Sequence, residues 1–263
     1  MSVGERKEYY LVPGPILQNE YVVEDVLQES SVIVYAGHRK STKVKVLIEE
    51  DFYPELNIRE AGNKQVAVRS EAARERYLYL LRQREEILDH MVMLYNWCGV
   101  GYYREYFREN GTQYAIREYV TGETLDNYLA RRGTMSLSAA VSVASNIAMR
   151  LEKLHEFSQY HGCLAPQNIF MQTDGGIGIL NTSLCSFCGL GKRRPLTCYS
   201  APEQYEGINE SEADVYGLAG IFYTMLTRNP IPSAAERMRG NAVKRPSEMG
   251  ISLPRGIEIA LIQ

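Results

Sequence analysis

The chain has 263 residues, 45% of them hydrophobic and 23% charged, with 29 Lys and Arg against 32 Asp and Glu. That length suits one large domain or two small lobes, and the composition excludes wholesale disorder. A net charge of −3 gives no general pull toward nucleic acid or an anionic membrane, and no run reaches the roughly 20 apolar residues that a membrane span needs.

The first third reads as strands. Tyr21–Leu27, Ser31–Tyr35 and Lys43–Glu49 alternate β-branched and polar residues and predict an antiparallel meander, which Phe52-Tyr53-Pro54 ends. From about Ser70 to Asn96, Tyr77, Leu80, Leu81, Ile87, Leu88, Met91, Leu94 and Tyr95 recur at helical steps. Tyr102–Phe107 and Gln113–Tyr119 flank a turn-type Asn110-Gly111 and predict a hairpin. After Val120-Thr121-Gly122 the character becomes helical. Thr124–Arg131 and Ser136–Phe157 are expected helices, the second with Ala139, Val141, Val143, Ile147, Leu151 and Leu154 facing inward. Two strand-like pieces, Asn168–Gln172 and Gly176–Leu180, surround Asp174-Gly175. Helices resume at Ser211–Thr227, with Ser211 as an N-cap, and near Pro254–Gln263. The junction falls near Val120–Thr124, giving lobes of residues 1–120 and 121–263.

The five cysteines are an odd number at irregular spacing, which fits a reducing, cytoplasmic setting better than a disulfide framework. The N-terminus has no apolar stretch of secretory type. Cys185 and Cys188 form a CxxC pair, but no second pair or paired His accompanies it, so no metal site is expected.

Four strings carry a resemblance. Glu109–Tyr114 leads into Glu118-Tyr119-Val120-Thr121-Gly122-Glu123-Thr124-Leu125. His161-Gly162-Cys163-Leu164-Ala165-Pro166-Gln167-Asn168-Ile169 follows, then Ser200-Ala201-Pro202-Glu203-Gln204-Tyr205 and Ser211-Glu212-Ala213-Asp214-Val215-Tyr216-Gly217-Leu218. In order and spacing these resemble the hinge, catalytic loop, APE motif and following helix of a protein kinase domain, above all the eukaryotic-like serine/threonine kinases of bacteria. The resemblance implies an α+β, two-lobed protein kinase-like fold, with a β-rich N-lobe carrying one long helix and a mainly helical C-lobe. It also implies that the lobe stops short of its usual last helices, leaving Glu203 without its arginine.

Several parts that the family uses for phosphoryl transfer are replaced. The expected phosphate loop is Gln28-Glu29-Ser30-Ser31, without glycine. Glu50, or Glu49 by strand alternation, stands at the lysine position of the third strand, where a carboxylate would repel triphosphate. The helix glutamate falls at Glu85 or Glu86. Arg117 takes the gatekeeper position at the back of the nucleotide pocket, beside Glu118 and Val120. It is expected either to pair bidentately with Glu49 or Glu50 or to snorkel outward. Cys163 replaces the catalytic aspartate, Ala165 the phosphate-contacting lysine and Asn181 the metal-binding aspartate. His161, Asn168, Glu203 and Asp214 are kept and are read as scaffold.

These replacements predict loss or weakening of ATP and Mg2+ binding, and hence a chain that is not an enzyme. It would act in signalling or scaffolding through protein contacts, with partners such as another kinase or a phosphoprotein-binding domain. The basic stretch Lys192-Arg193-Arg194, with Thr197, is its expected docking surface. Two alternatives stay open: a serine/threonine protein kinase-like enzyme with residual or atypical nucleotide binding or transfer, and a small-molecule sensor using the remodelled pocket.

Overall fold

The computed structural model describes residues 7–29, 32–180, 196–208 and 210–262. Ser30, Asn181, Lys192, Arg193 and Arg194, together with Cys185 and Cys188, lie outside the described residues. The chain divides into two compact units, one of Met1–Tyr95 with Tyr102–Val120, the other of Asn96–Gly101 with Thr121–Gln263.

The first unit is built on a six-stranded antiparallel sheet. In chain order its strands are β1 (Ile16–Leu17), β2 (Tyr21–Glu29), β3 (Ile33–Arg39) and β4 (Lys45–Glu50), then β7 (Tyr103–Glu109) and β8 (Thr112–Glu118). They lie in the order β1-β2-β3-β4-β8-β7. A two-stranded ribbon, β5 (Asn57–Ile58) with β6 (Ala67–Val68), and the 28-residue helix α1 (Glu71–Cys98) come between β4 and β7. The β7–β8 turn works because Asn110 and Gly111 both take left-handed backbone angles (φ 54° and 74°), the geometry a two-residue hairpin demands. Alternation along β4 puts Val46, Ile48 and Glu50 on one face. There Val46 and Ile48 pack with Leu17, Tyr21, Val23, Ile33, Tyr35, Tyr114 and Ile116 in the main core of this unit. Helix α1 starts at Ser70, whose hydroxyl accepts the Ala73 N–H at 3.1 Å. It buries Tyr77, Leu81, Leu88 and Leu94.

The second unit is mainly helical: α2 (Leu125–Arg132), α3 (Leu137–Glu156), α4 (Ser211–Thr227), α5 (Ala234–Met238) and α6 (Arg255–Ile262). A small antiparallel sheet joins β9 (Gly122–Thr124), β10 (Ile169–Gln172) and β11 (Ile177–Ile179). Along α3 the inward stripe is Ala140, Val143, Ile147, Leu151 and Leu154. This corrects the expected Ala139 and Val141, which are exposed: a step of three residues back from Val143 reaches the buried Ala140, whereas Val141, two residues back, is turned to another side of the helix. Ser136 caps this helix by accepting the Ala139 N–H at 3.3 Å. Glu210, not Ser211, precedes α4, and the Ser211 hydroxyl donates to the Glu212 carboxylate at 2.8 Å. Among the described residues no helix is long and apolar enough to cross a membrane.

Candidate functional site

In the first unit the chemistry converges on the end of β4. Glu49 and Glu50 are both buried, but alternation sends them to opposite faces of the sheet. Glu50 points into the core. Its carboxylate accepts the hydroxyls of Tyr35 at 2.7 Å and Tyr114 at 2.9 Å, and the two terminal guanidinium nitrogens of Arg59, Nη1 and Nη2, donate to it. Both members of that ion pair have fully buried side chains. Arg59 also donates to the Tyr9 carbonyl at 2.7 Å and lies 5.2 Å from the Phe52 ring. Such a bidentate, doubly hydrogen-bonded pair is a structural lock: removing one partner strands a buried charge.

Glu49 faces the other way and meets α1. Arg84 Nη2 donates to its Oε2 at 2.5 Å, Arg117 Nη1 from β8 donates to Oε1 at 2.8 Å, and the Tyr103 hydroxyl lies 2.9 Å and 3.1 Å from the two oxygens. Both guanidinium groups also sit against the Tyr103 ring, at 5.7 Å and 5.2 Å, a favourable cation–π geometry. The Arg117 contact is one hydrogen bond, not the bidentate pair expected, and it goes to Glu49 alone. Exposure orders the group. The Glu49 side chain is 5% exposed, Arg84 19% and Arg117 30%, so the two cations cover the carboxylate.

Asp51, one residue past β4, completes this cluster. Its Oδ1 lies 3.5 Å from Arg84 Nε, and its Oδ2 accepts from Gln113 Nε2 at 3.2 Å. Burial lifts its pKa from 3.8 to about 7, with Glu49 and Glu50 pushing the same way and Arg84 opposing them. Burial would lower the pKa values of Arg84 and Arg117, but the nearby Tyr103 and Glu49, with Asp51 also acting on Arg84, hold both above the usual arginine value.

The expected helix glutamate is corrected. Glu86 is exposed and Glu85 pairs with Arg108 at 2.7 Å, while Arg84 is the α1 residue that reaches β4. Charge reversal on the strand is thus matched by charge reversal on the helix. The preference for Glu50 at the lysine position is corrected with it, because Glu50 faces the core and Glu49 faces the helix. Glu118 accepts from Arg104 and is half-buried, as is Val120. Arg84 carried a signal in the sequence: it falls on the Tyr77, Leu81, Leu88 stripe, an inward position where a cation needs an anion. Arg59 and Asp51 carried none, since a loop places them.

In the second unit Asp214, fully buried on α4, gathers the loop before β10. Its carboxylate accepts the backbone N–H groups of His161 at 2.8 Å and Gly162 at 2.7 Å, and lies 2.9 Å from His155 Nε2. His161 Nε2 meets the Leu180 carbonyl at 2.9 Å, and its Nδ1 accepts the Cys163 N–H at 3.3 Å. Asn168 donates to the Cys163 carbonyl at 2.8 Å and lies 3.5 Å from its sulfur. Ala165 is buried. Glu203 makes no ion pair among the described residues. Thr197 serves a turn, its N–H donating to Ser200 Oγ at 3.0 Å and its hydroxyl accepting the Tyr199 N–H at 3.2 Å. No three His, Cys, Asp or Glu among the described residues gather so as to hold a metal ion, and the Asn168 amide is turned to the loop backbone. This set does not fit Mg2+, which prefers carboxylate oxygens, and no step is assigned to the metal.

Comparison with known proteins brings the pieces together. The family model described as the protein kinase domain matches residues 59–253. The chain is 24% identical over 165 residues to the probable serine/threonine-protein kinase CPE1738 of Clostridium perfringens, covering 56% of this chain and 24% of that one. It is 30% identical over 145 residues to the ribosomal protein S6 kinase beta of Caenorhabditis elegans, covering 51% and 25%. With the probable serine/threonine-protein kinase PknB of Lactococcus lactis it shares 25% over 122 residues, covering 44% and 20%. The chain thus spans about a quarter of the length of the curated relatives it matches. Among solved structures, the apo form of PpkA-294 superposes with a TM-score of 0.68 at 17% identity, over 95% of this chain and 91% of that one, which shows the fold.

These matches overturn the expectation that the chain is not an enzyme, since the matched domain and the named relatives are those of kinases. One of the replacements behind that expectation is compensated in the structure: the Glu49 carboxylate is buried beneath two guanidinium groups, Arg84 as well as the expected Arg117. With the fold, the Asp214-centred loop and the sequence matches in agreement, the chain belongs to the protein kinase domain family.

Proposed function

We propose that this chain is a serine/threonine protein kinase-type domain that handles nucleotide in an atypical manner, with Arg84 and Arg117 supplying the positive charge that a lysine ammonium supplies elsewhere in the family. Phosphoryl transfer asks a protein mainly for positioning and electrostatic stabilisation, so what counts is which charge an incoming phosphate meets. The observation that carries the reading is the order of exposure at the end of β4: Arg117 and Arg84 outermost, Glu49 beneath them. With Asp51 raised to about 7, part of the carboxylate charge is neutralised near neutral pH and the two guanidinium groups leave a cationic surplus. A guanidinium also offers paired donors for phosphate oxygens, which an ammonium does not.

A thermal-shift titration with ATP, alone and with Mg2+ or Mn2+, tests this directly, together with transfer of labelled γ-phosphate to dephosphorylated casein. The expected result is a saturable rise in Tm of more than a few degrees, weakened about tenfold in affinity by Arg117→Ala. No rise under any metal condition, together with no labelled product, would overturn the reading.

A further inference from the structure

Strand β7 does not keep even step with β8. From Glu109↔Thr112 to Glu105↔Ile116 the pairs advance one residue at a time, but the next pair is Tyr103↔Arg117, which skips Arg104. An extra residue of this kind is a bulge, and it re-aims the side chains beyond it. In an unbroken ladder Arg104 would stand opposite Arg117, and Tyr103 would fall on the other face of the sheet. The bulge exchanges them. Tyr103 now shares the face of Glu49 and Arg117, while Arg104 is drawn off to Glu118 and lies 5.4 Å from the Tyr95 ring. A phenol thus takes the place where a third cation would have stood.

That place has two demands. Arg84 and Arg117 repel each other, and each gives Glu49 one terminal nitrogen, Arg84 to Oε2 and Arg117 to Oε1. The Tyr103 ring answers the first demand. It lies 5.7 Å from the Arg84 guanidinium and 5.2 Å from that of Arg117, so one π-system attracts both cations. Its hydroxyl answers the second, at 2.9 Å and 3.1 Å from the two Glu49 oxygens. Burial, reinforced by Glu49, raises the phenol above its ordinary value, so it keeps its proton and donates. Glu49 is only 5% exposed, and a carboxylate so buried cannot be left without a partner. Any anion that draws the arginines away leaves the phenol O–H as the donor that stays.

We infer that Tyr103 is a positioning residue of the anion site: its ring holds the two guanidinium groups in place, and its hydroxyl keeps Glu49 hydrogen-bonded when they turn to phosphate oxygens. This rests on the reading that Arg84 and Arg117 receive the phosphates of a nucleotide. Tyr103 itself touches no ligand in this scheme and acts through Glu49. The two parts of its side chain have separate tasks, so they can be removed separately. Tyr103→Phe keeps the ring and loses the hydroxyl, and Tyr103→Leu loses both.

The test has two arms, both on the full chain. In the first, calorimetry measures ATP affinity for the parent, Tyr103→Phe, Glu49→Gln and the double variant. Tyr103→Phe should weaken binding about fivefold, because Glu49 then depends wholly on the arginines. In the Glu49→Gln background the same change should have no effect, since no buried charge needs the hydroxyl. Equal ATP affinity of the parent and Tyr103→Phe, or an equal loss in both backgrounds, would overturn the inference; the second result assigns Tyr103 a merely structural part. The second arm needs no ligand. Nitrogen-15 relaxation of the Arg84 and Arg117 Nε–H groups should show both as ordered as the backbone in the parent and in Tyr103→Phe, and mobile in Tyr103→Leu. Mobile arginines in the parent, or arginines still ordered in a folded Tyr103→Leu, would also overturn it. Should Tyr103→Leu fail to fold, the parent, Tyr103→Phe and the Glu49→Gln cycle decide. An absence of ATP binding by the parent counts against the nucleotide reading instead, and the ligand-free arm then judges the positioning of the arginines by itself.

Discussion

Asp51 shows how much one residue's surroundings can change its chemistry. Its ordinary value of 3.8 belongs to the unfolded chain, and in the folded protein burial raises it to about 7. Between those values the folded state holds more protons than the unfolded one, so stability falls as pH rises through the window and levels off above about 7. The variant Asp51→Asn keeps the shape and removes the charge. Its Tm should stay close to that of the parent chain near pH 4 and exceed it at pH 8. Each pH unit of displacement is worth about 1.4 kcal/mol, so the difference at the alkaline end is on the order of a few kcal/mol. Parallel pH profiles for the two proteins would show that Asp51 titrates normally. The same residue scale explains what the sequence concealed. Glu49 and Glu50 are adjacent and chemically identical, and only the pleat decides that one meets Arg84 and Arg117 while the other meets Arg59.

At the scale of elements, β4 is a strand with a charge lock on each face. On its core face, Arg59→Met should cost about 3–5 kcal/mol by leaving Glu50 buried and unpaired. The double variant Arg59→Met, Glu50→Gln should recover part of that loss, measured by urea unfolding. Failure of the second change to recover anything would assign the cost to lost packing on Phe52 instead. The β7–β8 hairpin makes a separate prediction. Gly111 holds φ 74°, and a Cβ there would come within 2.4 Å of the Val66 carbonyl oxygen, so Gly111→Ala should cost more than about 1 kcal/mol. Elements such as this hairpin, the meander and the long helix were legible because their cues are local: alternation, three- and four-residue steps and an Asn-Gly pair. In α3, Val143, Ile147, Leu151 and Leu154 were legible, but at its first turn Ala139 and Ala140 are adjacent and alike, and only the second is buried. The site was only half legible. Arg117 and the carboxylates of β4 announce themselves against the family pattern, but Arg59 reaches Glu50 from a loop whose path no periodicity encodes.

For the whole molecule, the balanced total of 29 cations and 32 anions conceals how the charges are placed. The first unit spends carboxylates on phenols throughout. Tyr9 and Tyr10 donate to Glu29, Tyr21 to Glu105, Tyr35 and Tyr114 to Glu50, Tyr103 to Glu49 and Tyr106 to Asp89. Burial, reinforced by these carboxylates, pushes Tyr10, Tyr21 and Tyr106 up to about 12 and raises Tyr35, Tyr103 and Tyr114 as well. The consequence is optical. Of the 19 tyrosines, this group should stay colourless near 295 nm in alkali that ionises an ordinary phenol, then turn over together as the sheet opens. The single tryptophan, Trp97, is 57% exposed and is a weak witness to folding. An alkaline absorbance titration should therefore show a delayed, cooperative step coincident with loss of circular dichroism, and a smooth rise centred near pH 10 would contradict the phenol–carboxylate pairs. The sheet carries its own unfolding dye, written in ultraviolet absorption by the pairs that hold it shut.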